Sequence, residues 1–456
     1  MSLPKIFISK IEARLGEEAP AFFNALNNKV PVSIRINPRK GKHLFSDEEP
    51  VPWCEYGKYL KERPAFVFDP LYHAGAYYAQ EASSMFFANV IDFSKDLKVL
   101  DLCAAPGGKS SLLLSFLSKG SLLVSNEMVG KRNSILQENL IKWGYPNLII
   151  TKNKAEDFSG LIGFFDVILV DAPCSGEGMF RKDQDAIAQW SEGLVAQCSA
   201  IQEHILEQAI PLLAPDGILV YSTCTFEADE NENHFQKLYQ SHGDALMPLE
   251  ISSAADWGMT EIEVIEDDKI QKGYYCFPHK VKGEGLFVAA LRSQFNSNVY
   301  HGKPAKTSLR KPNASELEII NQFIGEAISF NIYIDHEQVY LLPKHLEVDM
   351  LFLRSKLEIK KLGIQAGVLI RGVFIPDHDL AMSGLYDLSI PCVALDQRKA
   401  LEYQQRQAMP PVEGLAKGWF LYTYQGVALG WAKNIGNRIN NHYPAEWRIR
   451  KTLEKD

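Results

Sequence analysis

Lys98-Val-Leu-Asp-Leu-Cys-Ala-Ala-Pro-Gly-Gly-Lys-Ser110 runs from a short apolar segment through two adjacent glycines into a helix beginning near Ser110. The first five residues read as a buried strand, and the glycines let the backbone approach a ligand closely at the N-terminus of the helix. Outward from this corner the alternation repeats. Ser121-Leu-Leu-Val-Ser125 is a strand, a helix starts near Gly130, and Leu148-Ile-Ile150 and Phe165-Asp-Val-Ile-Leu-Val170 are strands. A long helix carrying Ile201, Ile205, Ala209, Ile210 and Leu213 then leads to Gly217-Ile-Leu-Val-Tyr221, and the stretch from Gly283 to Leu291 closes the sheet. Strands alternating with helices predict a doubly wound, mostly parallel α/β sheet, with the post-strand loops gathered at one edge. In the helix from Gly130, Leu136, Leu140 and Trp143 form one buried stripe, and Gly144 stands where a glycine ends a helix.

A chain of 456 residues is long for one hydrophobic core. Residues 1–95 open with amphipathic helical signals (Ile6, Ile11, Leu15; Phe22, Phe23, Leu26) and a strand-like Val32-Ser-Ile-Arg-Ile36, giving an N-terminal α+β domain ahead of the sheet domain at 96–292. The polar stretch 293–313, punctuated by Gly302, Pro304 and Pro312, reads as a linker. Short alternating strands at 338–342, 367–371, 419–422 and 426–429 then point to two small mixed or β-rich modules, 314–385 and 386–456.

The composition, 46% apolar and 23% charged, is that of a globular protein. The N-terminus lacks the features of a signal peptide, and no apolar run approaches the ~20 residues that span a bilayer, so a cytoplasmic location is expected. Seven cysteines, with no Cys-x-x-Cys pair, argue against a disulfide framework and a structural zinc site. The net charge of −8 gives no global attraction to a polyanion, so any nucleic acid must be held by local patches. Two stand out: Lys29, Arg35, Arg39, Lys40 and Lys42, and near the end Lys433, Arg438, Arg448, Arg450 and Lys451.

Cys174, in Asp171-Ala-Pro-Cys-Ser-Gly176, and Cys224, in Ser222-Thr-Cys-Thr225, each follow an apolar strand. In a parallel sheet both thiols sit at the carboxyl edge of neighbouring strands, where open α/β folds place their chemistry. Two thiols in one crevice suggest covalent catalysis. Cys54, Cys198, Cys276 and Cys392 read instead as small buried hydrophobes. Glu127 ends the second strand, twenty residues after Gly107, at the usual place for a carboxylate that binds ribose hydroxyls.

Asp101–Lys109, Asp171–Gly178 and Tyr221–Thr225, in this order, with Gln80-Glu-Ala-Ser-Ser-Met85 upstream, resemble the RNA 5-methylcytosine methyltransferases of the Nol1/Nop2/Sun family over about residues 30–292. Gly176–Asp183, Gly430-Trp-Ala-Lys433 and Ile439–Pro444 are similar to its bacterial ribosomal small-subunit branch, type F, which ends in a PUA module. The resemblance implies a seven-stranded Rossmann-like methyltransferase sheet, a PUA-like RNA-binding module at 386–456, S-adenosylmethionine as cofactor, and RNA as partner, with neither DNA nor membrane involved. The chain is expected to be a monomer.

Cytosine C5 is a poor nucleophile, so a thiolate must first add at C6. By resemblance that thiolate is Cys224, while Cys174 assists removal of the C5 proton and release; a DNA methyltransferase would use its Pro-Cys thiol as nucleophile. Lys109 is the cation that favours the thiolate, and Asp171 suits the cytosine N4/N3 edge. Cys103, Ala104, Ala105, Pro106, Gly107, Gly108 and Lys109 would cradle the methionine moiety. Glu127 would hold the ribose with Arg132 beside it, and Asp171 borders the same cleft. The chain departs from the family where an acid usually meets adenine: it reads Thr151-Lys-Asn-Lys154, leaving Asn153 nearest. Ala228 replaces a proline that often follows Thr-Cys-Thr-Phe. The expected function is methylation of cytidine C5 in RNA, 16S ribosomal RNA first. The alternatives are a transfer-RNA cytosine-5 methyltransferase and, in another class, a non-catalytic RNA-binding ribosome assembly factor, which would need none of Lys109, Asp171, Cys174 and Cys224.

Overall fold

A computed structural model describes residues 3–251, 253–266, 269–295, 308–325 and 327–452. The apolar runs found in the sequence become the parallel strands β1 (Lys98–Asp101), β2 (Leu122–Asn126), β3 (Leu148–Thr151), β4 (Phe165–Asp171) and β5 (Leu213–Thr223). Both faces of these strands are covered, so Val99 and Leu100, or Ile168 and Leu169, are buried alike. Three of the covering helices are α1 (Gly108–Phe116), α2 (Gly130–Trp143) and α3 (Glu192–Ala209). Further along come β6 (Leu246–Pro248), β7 (Thr260–Glu266), β8 (Lys269–Cys276), β9 (Leu286–Ser293) and β10 (Ile359–Leu362).

The strand order is β7-β8-β9-β5-β4-β1-β2-β3-β10, with β6 paired to β9. Its centre, β3-β2-β1-β4-β5-β9-β8, is the expected doubly wound arrangement of seven strands, and three more extend it. β6 and β7 follow from the segment between β5 and β9. β10 comes from the C-terminal half and lies antiparallel on β3, pairing Ile359 with Thr151, Lys361 with Ile150 and Leu362 with Ile149. Lys361 turns inward there, forms a buried ion pair with Asp379 and donates to the Gly363 carbonyl at 2.7 Å. β10 is too short and too charged (Ile-Lys-Lys-Leu) to announce itself as a sheet strand.

Three small sheets flank the centre. The N-terminal one orders Glu49–Val51, Cys54–Leu60, Val32–Ile36 and Tyr77–Ala79, and two further four-stranded sheets are built from residues 330–376 and 392–441. The linker expected at 293–313 falls mostly on 296–307, outside the described residues. No described helix is long and apolar enough to cross a membrane.

Local readings shift where periodicity was ambiguous. In the helix Lys5–Leu15 the buried pair is Phe7 and Ile11, at i and i+4, while Ile6 is 46% exposed. In α3 the inward stripe is Val195, Cys198, Gln202, Leu206 and Ala209, so Ile201 faces out and Leu213 already belongs to β5. The stripe Leu136, Leu140, Trp143 is buried as expected, and Gly144 ends α2 with φ +81°. Cys54, Cys198 and Cys276 are buried, but Cys392 is exposed on the short strand Cys392–Ala394, which corrects its reading as a core residue.

The first basic patch is not a surface patch. Arg35 is fully buried: its guanidinium lies 4.4 Å over the Trp143 ring and donates to Gln80 Oε1, the Ser111 carbonyl and Ser115 Oγ. Lys40 donates to the carbonyls of Ala74 and Lys142, and Arg39 bridges the carbonyls of Gly144 and Ser383. These cations staple the N-terminal domain to α1, α2 and the C-terminal half. Within that patch only Lys29 and Lys42 remain outward-facing cations without such a bridge.

Candidate active site

β4 and β5 are parallel neighbours, with Asp171 level with Ser222, so the loops that follow them leave the sheet side by side. Cys174 and Cys224 meet there, Sγ to Sγ at 3.1 Å, and the Cys224 N–H points at Cys174 Sγ at 3.4 Å. Buried carboxylates clamp both loops. Glu230 accepts the Ser175 N–H at 3.0 Å and Gln202 Nε2 at 2.8 Å, and the same Gln202 nitrogen reaches the Pro173 carbonyl, so the peptide on each side of Cys174 is fixed. Glu177 accepts the Phe226 N–H at 2.8 Å and Trp190 Nε1–H at 3.0 Å. Gly178 donates to the Cys224 carbonyl at 2.8 Å, and a Cβ at Gly178 would sit 3.1 Å from that oxygen, so the close approach requires glycine. Burial pushes the carboxyl of Glu177 up to about 8 and raises that of Glu230.

The two thiols are electrostatically unequal. Cys224 is held below the ordinary thiol range, first by the hydrogen bond from Cys174 and then, against its own burial, by the charges of Lys109 and Lys182. Cys174 is raised well above that range by its bond to Cys224, by burial and by Glu230. Of the two, Cys224 is therefore the thiol that gives up its proton more readily, and Cys174 the one that keeps its own. Lys109 Nζ lies 2.7 Å from Asp171 Oδ1, which Ser222 Oγ also meets at 2.8 Å. Burial works against the Lys109 charge, but Asp171 more than offsets it and keeps Lys109 protonated.

One strand away, Asp101-Leu102-Cys103 leads into the turn before α1. Gly107 takes φ +109°, a left-handed conformation suited to glycine, and no side chain caps the helix it opens. The first-turn N–H groups and the positive end of the helix dipole are thus available to an anion. Ser110 Oγ donates to Asp101 Oδ2 at 2.6 Å and receives Ser125 Oγ at 2.9 Å, bracing this corner to β2, and burial pushes the Asp101 carboxyl up to about 7. The turn residues Ala104, Ala105, Pro106 and Gly108 continue it, with Asn139 donating to the Pro106 carbonyl. Glu127 is 4% exposed at the end of β2. Its carboxylate accepts the Val129 N–H at 2.8 Å and lies 3.4 Å from Arg132 Nε, while Arg132 also donates to the Ala105 carbonyl.

Asn153, the residue nearest the expected adenine contact, has its side chain bonded within the protein. Its Oδ1 accepts the N–H of Glu358, next to β10, and its Nδ2 donates to Asp157 at 3.1 Å. The side chain is committed to the seam between the sheet and the C-terminal half. Glu177, Gln202, Glu230, Ser222 and Lys182 were not singled out by sequence reasoning. Glu177 and Lys182 lie inside the quoted 176–183 motif, but Gln202 and Glu230 carried no signal beyond a polar residue on an otherwise buried face.

Residues 88–292 match the family described as 16S rRNA methyltransferase RsmB/F, residues 3–82 the N-terminal domain of 16S rRNA methyltransferase RsmF, and residues 391–449 the methyltransferase RsmF PUA domain. The ribosomal RNA small subunit methyltransferase F of Aeromonas hydrophila is 31% identical over 437 residues, 92% of this chain and 89% of that protein. The protein of the same name from Vibrio vulnificus is 30% identical over 439 residues, 93% of this chain and 89% of its own length. Among solved structures, a methyltransferase homolog from Pyrococcus horikoshii is 27% identical with a TM-score of 0.53, covering 64% of this chain and 95% of that one. NSun6 from the same organism, solved with SFG, shares the fold at 19% identity and a TM-score of 0.52 over 64% of this chain and 99% of its own.

The methyl donor is S-adenosylmethionine, and the residues present fit it: the uncapped N-terminus of α1 suits the carboxylate of its methionine end, and the buried Glu127 suits its ribose diol. With relatives of one name matching along nearly the whole chain, and three family matches in register with its three regions, the chain belongs to the family of ribosomal RNA small subunit methyltransferase F, which are RNA methyltransferases.

Proposed function

We propose that the protein methylates C5 of cytidine in 16S ribosomal RNA through a covalent adduct on Cys224. The observation that carries this reading is the unequal thiol pair. A methyl transfer to oxygen or nitrogen needs no thiolate, whereas C5 becomes nucleophilic only after a thiolate adds at C6. Cys224 Sγ forms the bond to C6, and the electron pair of the C5–C6 double bond becomes available at C5. S-adenosylmethionine supplies the electrophilic methyl group. Asp171, held by Lys109 and Ser222, receives the N4 amine and N3 edge of the base.

After transfer C5 carries both a hydrogen and the new methyl. Once its sulfur is bonded to C6, Cys224 is no longer the anion that keeps Cys174 protonated. Cys174 can then release its own proton to solvent and take the C5 proton as the C6–S bond breaks, which restores the double bond and returns Cys224 as thiolate. The target base must leave any helix to expose C6. Ribosomal RNA is favoured over transfer RNA because relatives of that name match along nearly the whole chain. A ribosomal substrate fits a cytoplasmic location.

The test uses ribosomal RNA containing 5-fluorocytosine, whose C5 fluorine cannot leave as a cation. With S-adenosylmethionine the protein forms an adduct that survives denaturation, and Cys224→Ala forms none. Methyl transfer without an adduct would overturn the reading.

A further inference from the structure

A crevice of about 200 Å³ lies where three parts of the chain meet: the N-terminal domain (Tyr72, Tyr78), α2 (Trp143) and the C-terminal tail (Trp447, Arg448, Arg450). It is smaller than the ~300–1,000 Å³ clefts of drug-sized ligands, which suits a single planar ring system. Its walls are aromatic, and its lining carries Arg448, Arg450 and the ion pair of Lys142 with Glu138. Arg448 and Arg450 are exposed, and neither has a carboxylate partner among the described residues. Trp143 is 1% exposed, and its Nε1–H has no acceptor in the structure.

The crevice also touches the cofactor loop from behind. Asn139, another lining residue, donates to the Pro106 carbonyl at 2.8 Å, and a Cβ built at Gly108 would meet the Tyr78 ring at 3.4 Å. A ligand here therefore lies against the reverse of the turn that opens α1.

We propose that this crevice holds the base of one unpaired nucleotide of the RNA substrate, distinct from the target cytidine, stacked on its aromatic walls with the flanking phosphates on Arg448 and Arg450. Single-stranded RNA is recognised by splayed bases on aromatic side chains and phosphates on cations, the combination present here. This proposal rests on RNA being the substrate and extends the contact of the C-terminal module from backbone attraction to the reading of a base.

The test uses the full chain and ribosomal RNA carrying 4-thiouridine or 6-thioguanosine. Irradiation crosslinks the RNA to the peptide containing Trp447 or Tyr72. Arg448→Ala combined with Arg450→Ala, both on the surface and harmless to folding, raises KM for RNA about tenfold at unchanged kcat and makes binding less salt-dependent. Trp447→Ala, which removes one aromatic wall from the half-buried C-terminal tail, raises KM for RNA while binding of S-adenosylhomocysteine is unchanged. Unchanged KM in the double variant, or crosslinks confined to other peptides, overturns the proposal. The 5-fluorocytosine adduct is scored in the same samples. An adduct with no effect of the arginine variants removes the crevice and leaves the C5 reading standing; no adduct, with RNA affinity lost in the arginine variants, does the reverse.

Discussion

Sγ of Cys174 and Sγ of Cys224 lie 3.1 Å apart, yet the two thiols ionise unequally. The asymmetry comes first from the hydrogen bond between them, and then from their surroundings: Lys109 and Lys182 lower Cys224, while burial and Glu230 raise Cys174. On the proposed function, the Cys224 sulfur attacks the base and the Cys174 sulfur holds a proton.

The first consequence is a split between two alanine variants. Cys174→Ala keeps the attacking thiolate but loses the group that takes the C5 proton, so turnover falls about 10²–10⁴-fold and protein covalently joined to ordinary RNA accumulates on denaturing gels. Cys224→Ala forms no such species. Equal behaviour of the two would contradict the division of roles.

Lys109→Met removes a cation that stabilises the Cys224 thiolate. The thiol pKa then rises, so the thiolate fraction at neutral pH drops, and the ascending acidic limb of kcat/KM moves to higher pH. Activity lost at pH 7 returns in part above pH 8. The rate of iodoacetamide alkylation against pH checks the shift directly and needs no RNA.

Arg35 distinguishes a buried staple from a phosphate grip. Arg35→Leu leaves Gln80 Oε1 without its donor and strips the guanidinium from the Trp143 ring, and is expected to lower stability by about 3 kcal/mol or more, seen as a lower urea midpoint. Were Arg35 an RNA contact, the variant would keep its stability and bind RNA with a shallower salt dependence.

Asn153→Ala tests the seam with Glu358. It should cost about 1–2 kcal/mol in denaturant unfolding while the Kd for S-adenosylhomocysteine changes less than twofold. A tenfold loss of cofactor affinity without destabilisation would restore the adenine role.

The parallel centre of the sheet was legible because strands buried on both faces must be apolar throughout, as in Val99-Leu100 and Ile168-Leu169. Cys174, Cys224 and Glu127 were legible because strand ends in a parallel sheet share one edge. What escaped has a common physical character. β10 contains two lysines in four residues and is a strand only because β3 offers it an open edge. Arg35 and Lys40 look like surface charge in sequence, and only the meeting of distant segments turns their donors inward onto carbonyls. Glu177 and Glu230 hold the catalytic loops through backbone N–H groups, and such partners carry no sequence identity to read.

The pairing of β10 with β3 bears on how this protein can be cut. Ending the chain near residue 292 would keep the whole methyltransferase match, but it would strip the partner from β3 and leave Asn153 Oδ1 without the Glu358 N–H. A bare, flat strand of Leu-Ile-Ile-Thr is a template for pairing with other copies. The C-terminal half thus serves as a lid on the sheet's own adhesive edge, and a catalytic fragment of this protein would be expected to clump before it could be assayed.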